Sequence, residues 1–216
     1  MVQRLQEAQG ATFIDLDGTL MRGNSLKMFM KRLPGVLLKR QAFAAAFAAL
    51  WWMGWRSVRL VSHRNMKWRL TKMARTHLLE EDWDAMAEKM LEKVNPAVSD
   101  FVSSPSRANC RKYIATAAPE EYSMPLSRLL GYDGVVATRF SDDKSEYEEM
   151  RGLQKLEGIQ SLMLEKNLRL ESFLTDHYDD IPTAREYPGL TILVNPTRKM
   201  QSIFHNIGVT RYLLSN

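Results

Sequence analysis

Cysteine is almost missing from this chain: Cys110 is the only one in 216 residues. An internal disulfide is therefore excluded, and nothing points to a thiolate metal site. A single cysteine suits a reducing cytoplasm, and Cys110 itself reads as a small, buried apolar residue. The opening MVQRLQEAQG holds no apolar core and no small-residue cleavage pattern, which argues against secretion. A membrane-spanning segment is lacking too. The one candidate, Ala42–Trp55, is fourteen uncharged residues, and a helix of that length covers about 21 Å against a bilayer core of about 30 Å. Internal repeats and low-complexity linkers are absent. A hydrophobic fraction of 45% beside a charged fraction of 25% is that of a globular protein, and the length is enough for a substantial core.

Negative charge is missing locally. From Gly18 to Leu79 there is no Asp or Glu, whereas thirteen Lys and Arg fall in that span. The whole chain carries +5, so the remainder is net acidic. Such a break in charge marks a candidate domain boundary. We place the boundaries near Asn24 and Pro96, where NPAVSD reads as a loop back to the main body. Residues 24–96 then form an all-helical insertion, and 1–23 with 97–216 form the core. Thirteen cations could neutralise the phosphates of a nucleic acid, but no nucleic-acid motif accompanies them, so that partner is not expected.

Within the basic span, Ala42–Trp55 is a strong helix former. Lys39 and Arg40 precede it, Arg56 and Arg59 follow it, and Trp51, Trp52 and Trp55 gather at one end. Two readings stay open: a helix packed in a bundle, or one lying on an anionic membrane surface. The stretch Trp83, Met86, Ala87, Met90, Leu91 and Val94 continues at helical spacing.

What is present centres on FIDLDGTL, Phe13–Leu20. Two apolar residues suggest a short buried strand, and Gly18 frees the turn that ends it. Asp15 and Asp17 are two apart in an extended segment, so they start out on one side. Crowded carboxylates repel unless a cation or proton sits between them. Further along, Arg111–Ala115 predicts a strand ending at Thr116, and Pro119-Glu120 opens a helix. Thr116 reads either as the cap of that helix or as a hydroxyl in a phosphate cradle. A strand starts at Val135, and SDDKSEYEEMRG is a polar turn or hairpin. RGLQKLEGIQSLMLEKN predicts a helix with Leu153, Leu156, Ile159 and Leu162-Met163 inward. Leu170–Leu174 is another strand, running into Asp176, Asp179 and Asp180, and Leu190–Pro196 holds a last one. Strands alternating with helices predict an α/β fold, a doubly wound parallel sheet. In such sheets ligands bind beyond the strands' C-terminal ends, where Asp15, Asp17, Thr116, Asp176 and Asp180 all fall.

On these segments the chain resembles the haloacid dehalogenase superfamily. FIDLDGTL is similar to its first motif, IATAAP to its second, RGLQK to its lysine motif and TDHYDDIP to its acidic fourth motif. The helical insertion after the first motif resembles the family's first-type (C1) cap over a Rossmann-like core. ATAAPEEY and YDGVVATRF resemble the phosphoserine-phosphatase-related branch. The resemblance implies a Mg²⁺-dependent phosphomonoester hydrolase. Asp15 would be the nucleophile that forms an aspartyl-phosphate, and Asp17 the general acid and base. Asp15, the Asp17 carbonyl and Asp176 would bind Mg²⁺, with Asp180 steering that shell. Thr116, Ala117, Gly18, Thr19 and Lys155 would hold the phosphoryl group. Lys155 is preferred over Lys144 and Lys166 because the preceding Arg-Gly-Leu-Gln matches the family's Gly-x-x-Lys pattern. His177 stands where the branch has a small residue and is expected to point outward; Asp179 stands where Asn is frequent. The expected partner is a phosphorylated substrate, either a soluble metabolite or a membrane-proximal lipid phosphate. The expected location is cytoplasmic, with peripheral contact at the inner membrane face in the lipid case.

Overall fold

The structure, a computed structural model, describes residues 8–214. Residues 1–7, and with them most of the opening examined for a secretion signal, lie outside the described residues. β1 (Gln9–Ile14) is followed by α1 (Ser25–Lys39), α2 (Phe43–Ser57), α3 (His63–His77), α4 (Glu80–Leu91) and α5 (Pro96–Ser103). β2 (Arg111–Pro119), α6 (Glu120–Leu129), β3 (Gly134–Thr138), α7 (Leu153–Glu165) and β4 (Leu168–Thr175) come next. α8 (Ile181–Glu186), β5 (Thr191–Val194), α9 (Arg198–His205) and β6 (Arg211–Leu213) complete the described chain.

The strands form one sheet in the order β3-β2-β1-β4-β5-β6, every pairing parallel. Parallel sheets are covered on both faces, and their strands are apolar throughout. Successive residues of β1 show the consequence of the two-residue period. Ile14 packs with Ile114, Leu174 and Ile192 against α1, α3, α4 and α6. Phe13 packs the opposite way with Tyr113, Phe173 and Ile159 of α7, its ring stacked on Tyr113 at 5.2 Å. β1 sits where the chain turns from building one flank of the sheet to building the other. That is the topological switch point at which such sheets bind ligands.

Several expectations shift. NPAVSD is helix α5 rather than loop: Pro96 occupies its first turn and Val98 and Val102 are buried one turn apart. β2 runs on to Pro119 through a register shift after Ala115, so Thr116 lies within the strand and does not cap α6. Of the two readings of SDDKSEYEEMRG, the polar turn is the one found, Glu146 N–H donating to the Asp143 carbonyl at 3.2 Å, and no hairpin forms. On α7 the inward positions are Lys155 and Ile159 with Leu162 and Met163, whereas Leu153 is exposed. Beyond Pro196, where the sequence suggests no element, α9 packs Met200 and Phe204 beneath the sheet edge.

Candidate active site

The β1 backbone continues one hydrogen bond past the strand, Asp15 N–H donating to the Leu174 carbonyl at 2.9 Å. That bond fixes the Asp15 carboxylate at the sheet's C-terminal edge, where it is buried. Lys155, on the first turn of α7, reaches it: Nζ lies 2.7 Å from Asp15 Oδ1 and 2.7 Å from Asp180 Oδ1. Asp180 is itself fixed by Thr175 Oγ1, which donates to Oδ2 at 2.6 Å. Burial pushes the Asp15 carboxyl up to about 8 although Lys155 opposes it, with Asp180 and Asp176 adding repulsion. Burial alone would lower Lys155, but its two carboxylate partners win and hold it above the ordinary lysine value. The lysine therefore stays charged. Its rivals are elsewhere: Lys144 is exposed in the loop before α7, and Lys166 pairs with Glu165 at the helix end.

Asp17 follows on the same side, as the two-residue spacing requires. Ser25, the first residue of α1, donates its N–H to Oδ1 at 2.6 Å and its hydroxyl to Oδ2 at 3.0 Å. Burial raises the Asp17 carboxyl against those bonds. The Gly18 N–H donates to the Met21 and Gly23 carbonyls, and Thr19 Oγ1 donates to Asp176 Oδ1 at 2.9 Å. Gly18 has φ +84, and a Cβ there would lie 1.9 Å from Asp176 Oδ2. Only glycine permits that approach of the β4 acid to the β1 turn. Both residues of the turn thus hold Asp176 in place.

A cavity of about 270 Å³ opens on Asp15, Asp17, Thr116, Ala117, Lys155 and Asp180 together. Asp176 is set behind it, against Gly18 and Thr19. Thr116 Oγ1 accepts the Ala118 N–H at 3.0 Å. His177 is exposed at the rim, and its Nδ1 accepts the Asp179 N–H at 3.1 Å. The Asp179 carboxylate is held by Arg151 at 3.0 Å, and both residues line the cavity.

The structure adds residues that the motifs do not signal. Lys67 of α3 is buried at the cavity wall, donating to the Ala117 carbonyl at 3.1 Å and paired with Glu149. His63 stands one turn earlier, Nδ1 4.0 Å from Glu149. Burial, with Lys67 as the next cause, lowers its pKa, so it enters the cavity as a neutral imidazole near neutral pH.

Among the described residues no cluster of three or more His, Cys, Asp or Glu forms a ready metal cage. Mg²⁺ does not need one, because it keeps several waters and takes one or two carboxylates besides substrate phosphate. Asp15 and Asp176 fit that role: burial raises both carboxyls, and Asp15 feels Asp176 as a repulsive charge. A divalent cation between them would let both ionise.

The family profile described as haloacid dehalogenase-like hydrolase matches residues 12–185. No curated protein gives a significant match to the chain. Solved structures share its fold. A protein of unknown function from Bordetella pertussis Tohama I superposes with a TM-score of 0.68 at 15% identity, over 95% of this chain and 98% of that one. A HAD family hydrolase from Salmonella enterica subsp. enterica serovar Typhi gives 0.63 at 12%, over 95% and 68%. A phospho-aspartyl intermediate analogue of phosphoserine phosphatase gives 0.56 at 14%, over 96% and 94%.

Proposed function

The chain belongs to the haloacid dehalogenase-like hydrolases, and from that premise we propose that it hydrolyses phosphomonoesters through an aspartyl-phosphate on Asp15. The observation that carries this is Lys155, buried and bridging Asp15 and Asp180 at 2.7 Å each. A cation so placed directs the carboxylate and offsets the charge of an incoming phosphoryl group.

With Oδ1 engaged by Lys155, the other Asp15 oxygen attacks phosphorus, forming the O–P bond as the ester P–O bond breaks. Asp17, whose carboxyl is raised by burial, gives its proton to the departing alkoxide. In the second half Asp17 takes a proton from water, whose oxygen attacks phosphorus and releases inorganic phosphate with Asp15 restored. Ser25 fixes the Asp17 carboxyl in one orientation for both halves. Thr116 and the backbone around Ala117 line the phosphate end. Mg²⁺, held by Asp15, Asp176 and the Asp17 carbonyl and steered by Asp180, would screen nucleophile from phosphate and stabilise the charge that develops. In this reading residues 24–96 are a cap over a core of 1–23 and 97–216.

The substrate is a small phosphomonoester, and His63, Lys67 and Arg151 also line the cavity that would take it. A second reading, a lipid phosphomonoester met at the inner membrane surface by a cytoplasmic enzyme, is favoured by the exposed apolar face of α2. The test is p-nitrophenyl phosphate turnover with and without Mg²⁺. Asp15→Asn should lower turnover on the order of 10³-fold or more; equal activity would remove Asp15 as nucleophile. A panel of soluble and lipid phosphate esters then separates the two substrate classes.

A further inference from the structure

Helix α2 is inside out for a bundle helix. Ala46 and Ala49 are its buried residues and Trp52 and Met53 pack partly against the core, while its other large apolar side chains face solvent. Phe43 is 65% exposed, Phe47 69%, Leu50 56%, Trp51 50% and Trp55 37%. At 3.6 residues per turn these positions share one face, and Val58 continues the same stripe. The rings form a ladder, Phe47 to Trp51 at 6.4 Å and Trp51 to Trp55 at 5.3 Å. Val58 and Leu60, both exposed, carry the apolar surface through the following turn towards His63, which lines the catalytic cavity. A contiguous apolar surface of this kind normally has an occupant.

The charge around it says which. Lys39, Arg56 and Arg59 flank the stripe, and no Asp or Glu occurs between Gly18 and Leu79. Arg40 is already engaged by Glu81 and Asp82. The neighbouring face of α3 is also cationic, Arg69 lying 3.9 Å over the Trp52 ring and Lys72 5.1 Å over Trp68. A second copy docked face to face would oppose cations to cations. No helix among the described residues is long and apolar enough to cross a membrane. An apolar face rich in tryptophan, edged by Lys and Arg, suits a helix lying about 5–10 Å into an anionic bilayer surface.

We propose that the outward face of α2 and the turn Val58–Leu60 dock this protein on the surface of an anionic phospholipid bilayer, with the mouth of the catalytic cavity beside the contact. Aromatic and aliphatic side chains enter the headgroup boundary, while Lys39, Arg56 and Arg59 meet lipid phosphates. This deepens the lipid-substrate reading above, but the docking does not require the chemistry of Asp15.

Flotation with phosphatidylcholine vesicles, with and without phosphatidylglycerol, tests it. The full chain should float with the anionic vesicles at low salt and not with the neutral ones, and tryptophan emission should move to shorter wavelength on binding. Raising salt from about 0.1 M to about 1 M should release much of it, as the Debye length falls from about 10 Å to about 3 Å. Phe47→Gln/Trp51→Gln, with unchanged circular dichroism and p-nitrophenyl phosphate turnover, should bind roughly tenfold more weakly or less. Asp15→Asn should float like the wild type, so loss of turnover and loss of docking are separate outcomes. Folded wild type that stays off anionic vesicles overturns the proposal, as does a double variant that floats equally well. A dimer in sedimentation that the double variant abolishes, with no vesicle binding, would assign the face to a second copy instead.

Discussion

Lys155 is the counter-charge shared by two buried carboxylates. Asp15 and Asp180 are both buried, and each has an oxygen 2.7 Å from the lysine nitrogen. Taking the cation away leaves that pair without a counter-charge in low dielectric, a loss typically of about 3–5 kcal/mol. The Asp15 carboxyl can escape that cost only by binding a proton. A carboxylate whose folded pKa lies above its unfolded one stabilises the fold below the unfolded value, and that contribution is lost as pH rises through the folded value. Burial raises Asp15 to about 8 even with Lys155 opposing it, so the loss in the wild type spans roughly pH 4 to 8. Lys155→Met should therefore be less stable than wild type in metal-free urea denaturation, and the gap should widen from pH 5 to pH 8. A gap that narrowed with rising pH would contradict the ion-pair geometry.

At the scale of elements, α3 closes the cavity. Lys67 donates to the Ala117 carbonyl and pairs with Glu149, Trp68 Nε1 donates to the Ser141 carbonyl at 2.9 Å, and Arg64 Nε donates to the Tyr147 carbonyl at 2.8 Å. All three tie α3 to the loop between β3 and α7. Lys67→Ala strands the mostly buried Glu149 and should cost about 3–5 kcal/mol. Lys67→Met/Glu149→Leu should recover most of that stability in thermal unfolding, because an apolar pair needs no solvation. If Lys67 also grips substrate, the double variant keeps a raised KM despite its recovered stability; normal KM would make the lysine purely a latch. This latch also marks the limit of what the sequence discloses. The acids Asp15, Asp17, Asp176 and Asp180 can be placed at strand ends from the local pattern, whereas Lys155 is singled out by the family resemblance of the residues before it, and the structure brings it to Asp15 and Asp180. Lys67, Glu149 and Ser25 are ordinary polar residues in their own segments and acquire meaning only when α3 and α1 fold over the sheet. The same holds for elements: the long periodic helices and the buried β1 are readable. Three-residue β6 is too short to carry a period, and Pro96, which suggests a loop, instead starts α5.

For the molecule as a whole, the sheet divides labour between an acidic catalytic edge and the basic helical segment above it. Among the described residues Lys67 is the one Lys or Arg of the basic span that lines the cavity, and burial raises the two carboxyls proposed to hold a metal: Asp15 to about 8, and Asp176 in the same direction. A divalent ion that takes both must displace the proton that Asp15 holds below about pH 8. Its affinity should accordingly increase with pH through the window up to about 8, by at most about tenfold per pH unit for each proton released. Bound Mg²⁺ should also reverse the loss of stability described for Asp15, since it stabilises the ionised form that burial opposes. Thermal unfolding with graded Mg²⁺ at several pH values reads both effects: the shift in Tm at fixed Mg²⁺ should grow from pH 6 to pH 8. Asp176→Asn should shrink the Mg²⁺-induced shift at every pH, because one of the two carboxyls proposed to hold the ion is gone while the amide keeps the Thr19 contact available. A Tm shift that stayed constant over pH, in wild type and variant alike, would mean that the metal binds elsewhere than between β1 and β4.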